Sequence, residues 1–210
     1  MFITLEGIEG SGKTTQIKNI ATFLEKRGSR CMTTREPGGT AIGAKIRTIL
    51  LAPENNKLHP MSELLLYMAD RAQHLHALVK PSLAEGTTVL CDRYFDATLV
   101  YQGYARGIHV ELIEQLHQLL FENFKPDLTF LLDLPPKIGL ARAWRQLQNG
   151  SRKGGESRFE EEALVFHEKV RSGYLELAKR EPARFRVVDA TQTREQVSNS
   201  ILSILTEVCT

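Results

Sequence analysis

Eight residues near the start of the chain constrain its fold more than any other segment. Gly7-Ile8-Glu9-Gly10-Ser11-Gly12-Lys13-Thr14 fits the pattern GxxxxGK[ST], between the strand-like run Phe2-Ile3-Thr4-Leu5 and a helical pattern from Thr14 to Arg27. A strand, a glycine-rich turn and a helix in that order make a phosphate-binding loop. Glycines let the backbone curl so that successive N–H groups and the helix N-terminus converge on phosphate oxygens, a lysine adds a point charge, and a hydroxyl suits a divalent cation. Gly7, Ile8, Glu9, Gly10, Ser11, Gly12, Lys13, Thr14 and Thr15 are therefore the candidate triphosphate site, with ATP or GTP as ligand. Lys13 is expected on the β- and γ-phosphates and outside the core, and Thr14 on Mg²⁺.

The rest of the chain continues in βα order. Apolar runs recur at Thr87–Cys91, Leu128–Leu132 and Phe185–Val188, each followed by an acid: Asp92, Asp133 and Asp189. Continuous apolar runs suit strands covered on both faces. Helical patterns fall at about 40–51, 61–80, 109–124, 136–148, 159–180 and 193–208. The reading is a three-layer α/β fold with a mostly parallel sheet. A carboxylate is needed beside the metal, and Asp92, at the end of Val89-Leu90-Cys91, is the better placed. Asp133 is the rival, with an alternative role as a cap or turn residue before Pro135-Pro136.

Composition narrows the function classes. With 27 Lys plus Arg against 25 Asp plus Glu, the net charge is +2, so no global basic field holds a nucleic-acid backbone and anions must be gripped locally. Cys31, Cys91 and Cys209 are widely separated and odd in number, which fits a reducing compartment better than a disulfide framework. The first residues do not read as a signal peptide, and no apolar stretch approaches membrane-spanning length. The expectation is a cytoplasmic protein without membrane or nucleic-acid partners. Among phosphate-loop proteins, a GTPase would carry NKxD, but Asn56-Lys57-Leu58-His59 lacks the acid; LSGGQ is missing, and 210 residues leave no room for a second motor domain. A small kinase remains. His74 and His76 do not share a helix face and make poor metal ligands, so the histidines are assigned structural roles.

Six segments then resemble the thymidylate kinase family: the phosphate loop with Glu9, Arg35-Glu36-Pro37-Gly38-Gly39-Thr40, Tyr67 to His74, Asp92-Arg93-Tyr94, Tyr101-Gln102-Gly103-Tyr104-Ala105-Arg106-Gly107, and Asp189-Ala190-Thr191-Gln192. The resemblance implies one kinase domain over residues 1–210, a P-loop nucleoside triphosphate hydrolase-like fold with a five-stranded parallel sheet, and a lid at about 142–158. It implies ATP and dTMP as substrates, Mg²⁺ as cofactor, and a homodimer for which the apolar helices at 61–80 and 109–124 offer a face. It places Arg35 and Arg93 on the acceptor phosphate, Tyr67 face-on to thymine, Arg71 on a base carbonyl, Thr98 and Gln102 on the base edge, and Tyr104 over the deoxyribose. Glu9 is placed near the 3′-hydroxyl and the metal. Tyr67 and Arg71 are four residues apart, a spacing that puts both on one helix face. A kinase with another base preference, and a nucleotide-dependent switch, are the competing readings; a switch needs no acceptor-phosphate site, so Arg35 and Arg93 argue against it.

No basic residue stands inside the phosphate loop, so a transition-state cation must come from elsewhere. Arg142, Arg145, Arg152, Lys153 and Arg158 face a single acid, Glu156, in and around the glycine-rich run 149–157. Arg158-Phe159-Glu160 resembles the Arg-x-Glu at the end of a bacterial lid, which makes Arg158 the expected catalytic cation and Arg142 the alternative.

Overall fold

The computed structural model describes residues 1–149 and 157–208. Chain order runs β1 (Phe2–Glu6), α1 (Lys13–Lys26), β2 (Cys31–Arg35), α2 (Ala41–Leu51), α3 (Pro60–His74), α4 (Lys80–Ala84), β3 (Thr88–Asp92), α5 (Phe95–Thr98), α6 (Val110–Phe121), β4 (Leu128–Asp133), α7 (Pro136–Gln148), α8 (Leu164–Arg180), β5 (Phe185–Asp189) and α9 (Arg194–Val208). The sheet has five strands in the order β2-β3-β1-β4-β5, every neighbouring pair parallel. The first crossover carries the chain from β1 to one edge, and the connection after β3 carries it to β4, on the other side of β1. The carboxyl ends of the strands beside that reversal are where an open α/β sheet offers a crevice for ligands.

β1, β3 and β4 read as apolar runs because they lie inside the sheet. Phe2, Ile3, Leu5, Val89, Leu90, Phe130 and Leu132 are all sealed from solvent. β2 escaped the apolar reading because it is an edge strand with alternating burial; Cys31-Met32-Thr33-Thr34-Arg35 puts only part of its surface against the core. Its register brings Arg35 opposite Asp92, and β1 brings Leu5 opposite the same residue.

The helices depart from the sequence reading in three places. The pattern at 61–80 continues to Ala84 because a π-helical segment, Leu75–Val79, joins α3 to α4 without a break. Phe95 to Ala105 is helical, α5 running into a π-helical stretch at Leu99–Ala105, where periodicity suggested nothing. The helix expected from 159 begins only at Leu164; Phe159 to Glu162 form a turn whose first two residues, Phe159 and Glu160, are buried. Of the expected lid, residues 142–148 are the second half of α7, and 150–156, with Arg152 and Lys153, lie outside the described residues.

Candidate active site

The loop after β1 is shaped by close backbone approach. A Cβ on Gly10 would stand 2.1 Å from Gly139 O of α7, and Gly10 has φ +71°, so only glycine fits there. Gly12 caps α1 at φ 98°, and a Cβ there would meet nothing within 4 Å. α1 thus opens on a glycine with open space on its Cβ side, and the N-terminus of a helix is a ready anion site.

Lys13 departs from its expected place outside the core. It is 7% exposed, and its Nζ donates to Gly7 O and Ile8 O at 2.9 Å each and to Ser11 Oγ at 3.3 Å. Burial, and then the charge of Arg93, pull its pKa down to about 8. The ammonium ties the loop to itself and is held where phosphates would meet it.

Thr14 and Asp92 meet as expected, Thr14 Oγ1 donating to Asp92 Oδ2 at 3.2 Å. Two hard oxygen donors side by side beneath a phosphate loop fit Mg²⁺, which takes one or two protein ligands and completes its shell with phosphate oxygens and water. Among the described residues no group of three or more His, Cys, Asp or Glu side chains gathers as a metal cage. Asp133, the rival, receives both Nε and Nη2 of Arg171, at 2.7 and 2.8 Å. That bidentate pairing makes it a structural acid.

Beside the loop lies a partly open cavity. Glu9, Tyr67, Arg71, Arg93, Thr98 and Gln102 line it, so six of the expected substrate-site residues converge. Arg71, 1% exposed, donates Nε to Glu36 Oε2 and Nη2 to Thr98 Oγ1, both at 2.9 Å. Burial works against its charge, but Glu36 outweighs it and the pKa rises above the ordinary arginine value. His74 also bonds Glu36, at 2.8 Å. The segment that carries Glu36 is braced by Asp70, which accepts from Gly38 N at 3.0 Å, and by Thr40, which caps α2 through Gly43 N at 2.9 Å.

Arg93 and Glu9 link the cavity to the phosphate loop. Arg93 Nη2 lies 2.9 Å from Glu9 Oε1, and its guanidinium sits 4.7 Å from the centre of the Tyr101 ring. Arg93 adopts φ 70°, a left-handed conformation that L side chains seldom take and that turns it from β3 toward the loop. Burial opposes its charge, but Tyr101 and Glu9 hold its pKa well above normal. Glu9 is only 6% exposed; burial pushes its pKa up, but Arg93, His167 and Lys13 more than reverse that and hold it well below the carboxylate range.

Four expected residues stand elsewhere. Arg35 is exposed at the end of β2, aligned with Asp92 but not in the cavity wall. Tyr104 faces α8: a Cβ on Gly173 would come within 2.9 Å of its Cγ. Arg142 donates Nη1 to Ala190 O at 2.9 Å. Arg158 is 4% exposed, its Nη2 2.6 Å from Glu63 Oε2 and its Nη1 donating to Leu50 O at 3.0 Å. Without nucleotides, Arg158 is thus held by α2 and α3.

Sequence reasoning also missed residues. Tyr101 lines the cavity and donates its hydroxyl to Glu9 Oε1 at 2.7 Å. Thr98, Tyr101 and Gln102 are spaced i, i+3, i+4, so a helical reading of that segment adds Tyr101 to the face that carries the other two. His167, fully buried on α8, has Nδ1 3.2 Å from Glu9 Oε2, a contact that no motif announces. Phe159 and Glu160, just after the expected lid, are also part of the wall.

Comparison with known proteins points to one family. The thymidylate kinase family model matches residues 5–201. A thymidylate kinase of Desulfosudis oleivorans is 52% identical over 208 residues, covering 99% of this chain and 97% of that protein. Another, from Desulforapulum autotrophicum, is 57% identical over 203 residues, covering 97% and 89%. The crystal structure of thymidylate kinase from Ehrlichia chaffeensis superposes with a TM-score of 0.76 at 34% identity, covering 98% of each chain.

Proposed function

Because the chain belongs to the thymidylate kinase family and so transfers the γ-phosphate of ATP to dTMP, we propose that the cavity between α3 and the Phe95–Ala105 helix seats dTMP, its phosphate toward Arg93 and its base toward Arg71. One observation carries this assignment: Arg93 lines the cavity and is bonded to Glu9 of the phosphate loop, so a monophosphate there lies against the donor site.

The chemistry asks for alignment and charge stabilisation rather than a proton acceptor. A phosphate monoester is largely dianionic at neutral pH and is already a nucleophile. Arg93 neutralises the repulsion between the two phosphates, and Arg35, at the carboxyl end of β2, draws the acceptor phosphate toward the same edge of the sheet. Lys13 exchanges its loop carbonyls for the β- and γ-phosphate oxygens. Thr14 and Asp92 hold Mg²⁺, which when bound screens the triphosphate charge. Tyr67 covers the base face, Arg71 donates to a base carbonyl, and Thr98 and Gln102 border the base edge. Tyr101 takes the place beside the sugar that the sequence had suggested for Tyr104, and Glu9 receives the 3′-hydroxyl. The transition-state cation comes from Arg158, with Arg142 as the alternative; each must leave its present partner, Glu63 or Ala190 O, to reach the phosphates.

The homodimer is also a proposal. Leu65 on α3 and Leu119 and Leu120 on α6 are 55%, 79% and 54% exposed, and a second copy would cover them. Among the described residues Cys31 and Cys91 are free thiols, which supports the cytoplasmic assignment. No helix of the described residues is long and apolar enough to cross a membrane.

The experiment is a pair of binding isotherms on Arg71→Ala. Losing a buried hydrogen-bond donor costs about 1–3 kcal/mol, roughly 5- to 150-fold. The variant should lose that much affinity for dTMP and keep ATP affinity within about twofold. Equal losses for both nucleotides would refute the proposed seat.

A further inference from the structure

Glu63 on α3 is fully buried and takes no part in the cavity wall, yet three polar side chains converge on it. Gln102 Nε2 donates to its Oε1 at 2.8 Å. Arg106 Nε reaches the same oxygen at 3.3 Å, and Arg158 Nη2 lies 2.6 Å from Oε2. Arg106 is itself braced by Glu162 at 2.6 Å. A carboxylate between two guanidinium groups is an anion, and an anion can only accept hydrogen bonds.

That restriction passes to Gln102. An amide has one donating end and one accepting end, and its orientation follows from its partners. Glu63 takes the donating end, so the carbonyl is the end left for the cavity. Arg71, opposite, offers only donors. We infer that Glu63 is a positioning residue that fixes the Gln102 amide so the cavity presents one donor and one acceptor to the base, the complement of a carbonyl beside an N–H. Thymine has that edge. A 4-aminopyrimidine has the reverse edge, setting donor against Arg71 and acceptor against the Gln102 carbonyl. Glu63 therefore contributes to base selection without touching the substrate, and the inference rests on the dTMP seat proposed above.

The test compares dTMP with 5-methyl-dCMP, which shares its methyl group, sugar and phosphate and differs only at the edge in question. The wild-type enzyme should favour dTMP in kcat/KM by about 100-fold or more, since mismatched buried hydrogen-bonding groups discriminate strongly. Failure of that preference would count against the seat itself. In Glu63→Gln the neutral amide can donate or accept, Gln102 is free to turn, and the preference should fall by about tenfold or more while KM for ATP stays within about twofold. Glu63→Asp, which keeps the charge but draws it back from Gln102, should shift the ratio the same way and serves if the first variant does not fold. Gln102→Met, of similar shape without the amide, should lower the preference, and adding Glu63→Gln to it should lower it no further. A merely structural Glu63 would depress both substrates by one factor. An unchanged ratio in both Glu63 variants, with a lowered ratio in Gln102→Met, overturns the inference.

Discussion

The end of β1 offers a measurable consequence of how the phosphate loop is founded. Glu6 is fully buried immediately before Gly7, its Oε1 accepting from Tyr94 N at 2.8 Å and its Oε2 2.6 Å from the Tyr174 hydroxyl. Burial, reinforced by the charge of Asp96, raises its pKa from 4.5 to about 8, against the opposing influence of Tyr174 and Arg93. At pH 7 Glu6 is therefore mostly a neutral acid, which keeps a negative charge from beneath a loop built to receive phosphate. The native state holds this proton over a pH range in which the unfolded chain has released it. Its contribution is fully present below pH 4.5 and is lost as pH rises toward 8. At about 1.4 kcal/mol per pH unit, the interval sets a ceiling of about 5 kcal/mol. The Glu6→Gln substitution keeps a neutral side chain at every pH, the new carbonyl accepting from Tyr94 and the new amide donating to the Tyr174 oxygen. Thermal unfolding of both proteins from pH 5 to pH 8 should show near-equal stability at the acid end and an advantage to the variant that grows with pH. At about 2–4 °C per kcal/mol for a chain of this size, the gap reaches the order of 10 °C. Other titrating groups cancel in the comparison. A gap of constant size across the range, or one that grows in favour of the wild type, refutes the reasoning and makes Glu6 a carboxylate paired with Arg93.

Lys13→Ala should lower kcat by at least about 10³-fold, and it should also lower Tm by a few degrees, since it removes the bonds to Gly7 O, Ile8 O and Ser11 Oγ; turnover within about tenfold of wild type would remove Lys13 from the phosphate site. The two strand-end acids should separate cleanly. Asp92→Asn should raise the Mg²⁺ concentration needed for half-maximal turnover by about tenfold or more with little change in Tm, as expected on removing a metal-ligating carboxylate, whereas Asp133→Asn, losing its Arg171 pair, should leave the Mg²⁺ dependence alone and cost about 1 kcal/mol or less.

What the chain discloses about itself follows from where each residue's partners lie. The phosphate loop, the buried strands and the Tyr67–Arg71 pair are local: their meaning depends on neighbours within a few positions, and the structure places them as the spacing suggests. β2 was hidden because an edge strand needs few apolar residues. Tyr101 was passed over for Tyr104 because the segment's helical character, on which the choice of face depends, comes from packing against α8 rather than from its own pattern. His167 and Glu63 were invisible for a different reason. Their roles exist only through contacts with Glu9, Gln102 and Arg158 that are distant in sequence, and a lone His or Glu on a helix carries no sign of them.

Arg158 joins several of these features. Paired with Glu63 and bonded to Leu50 O, it fixes the start of the Phe159–Glu162 turn against α2 and α3. Phe159, next in sequence, stands edge-on to Tyr101 at 5.4 Å, and Glu160 continues the wall. Two wall residues, Phe159 and Glu160, thus follow directly on an arginine tied to the same carboxylate that orients Gln102, so loosening that buried ion pair would disturb the acceptor side of the cavity.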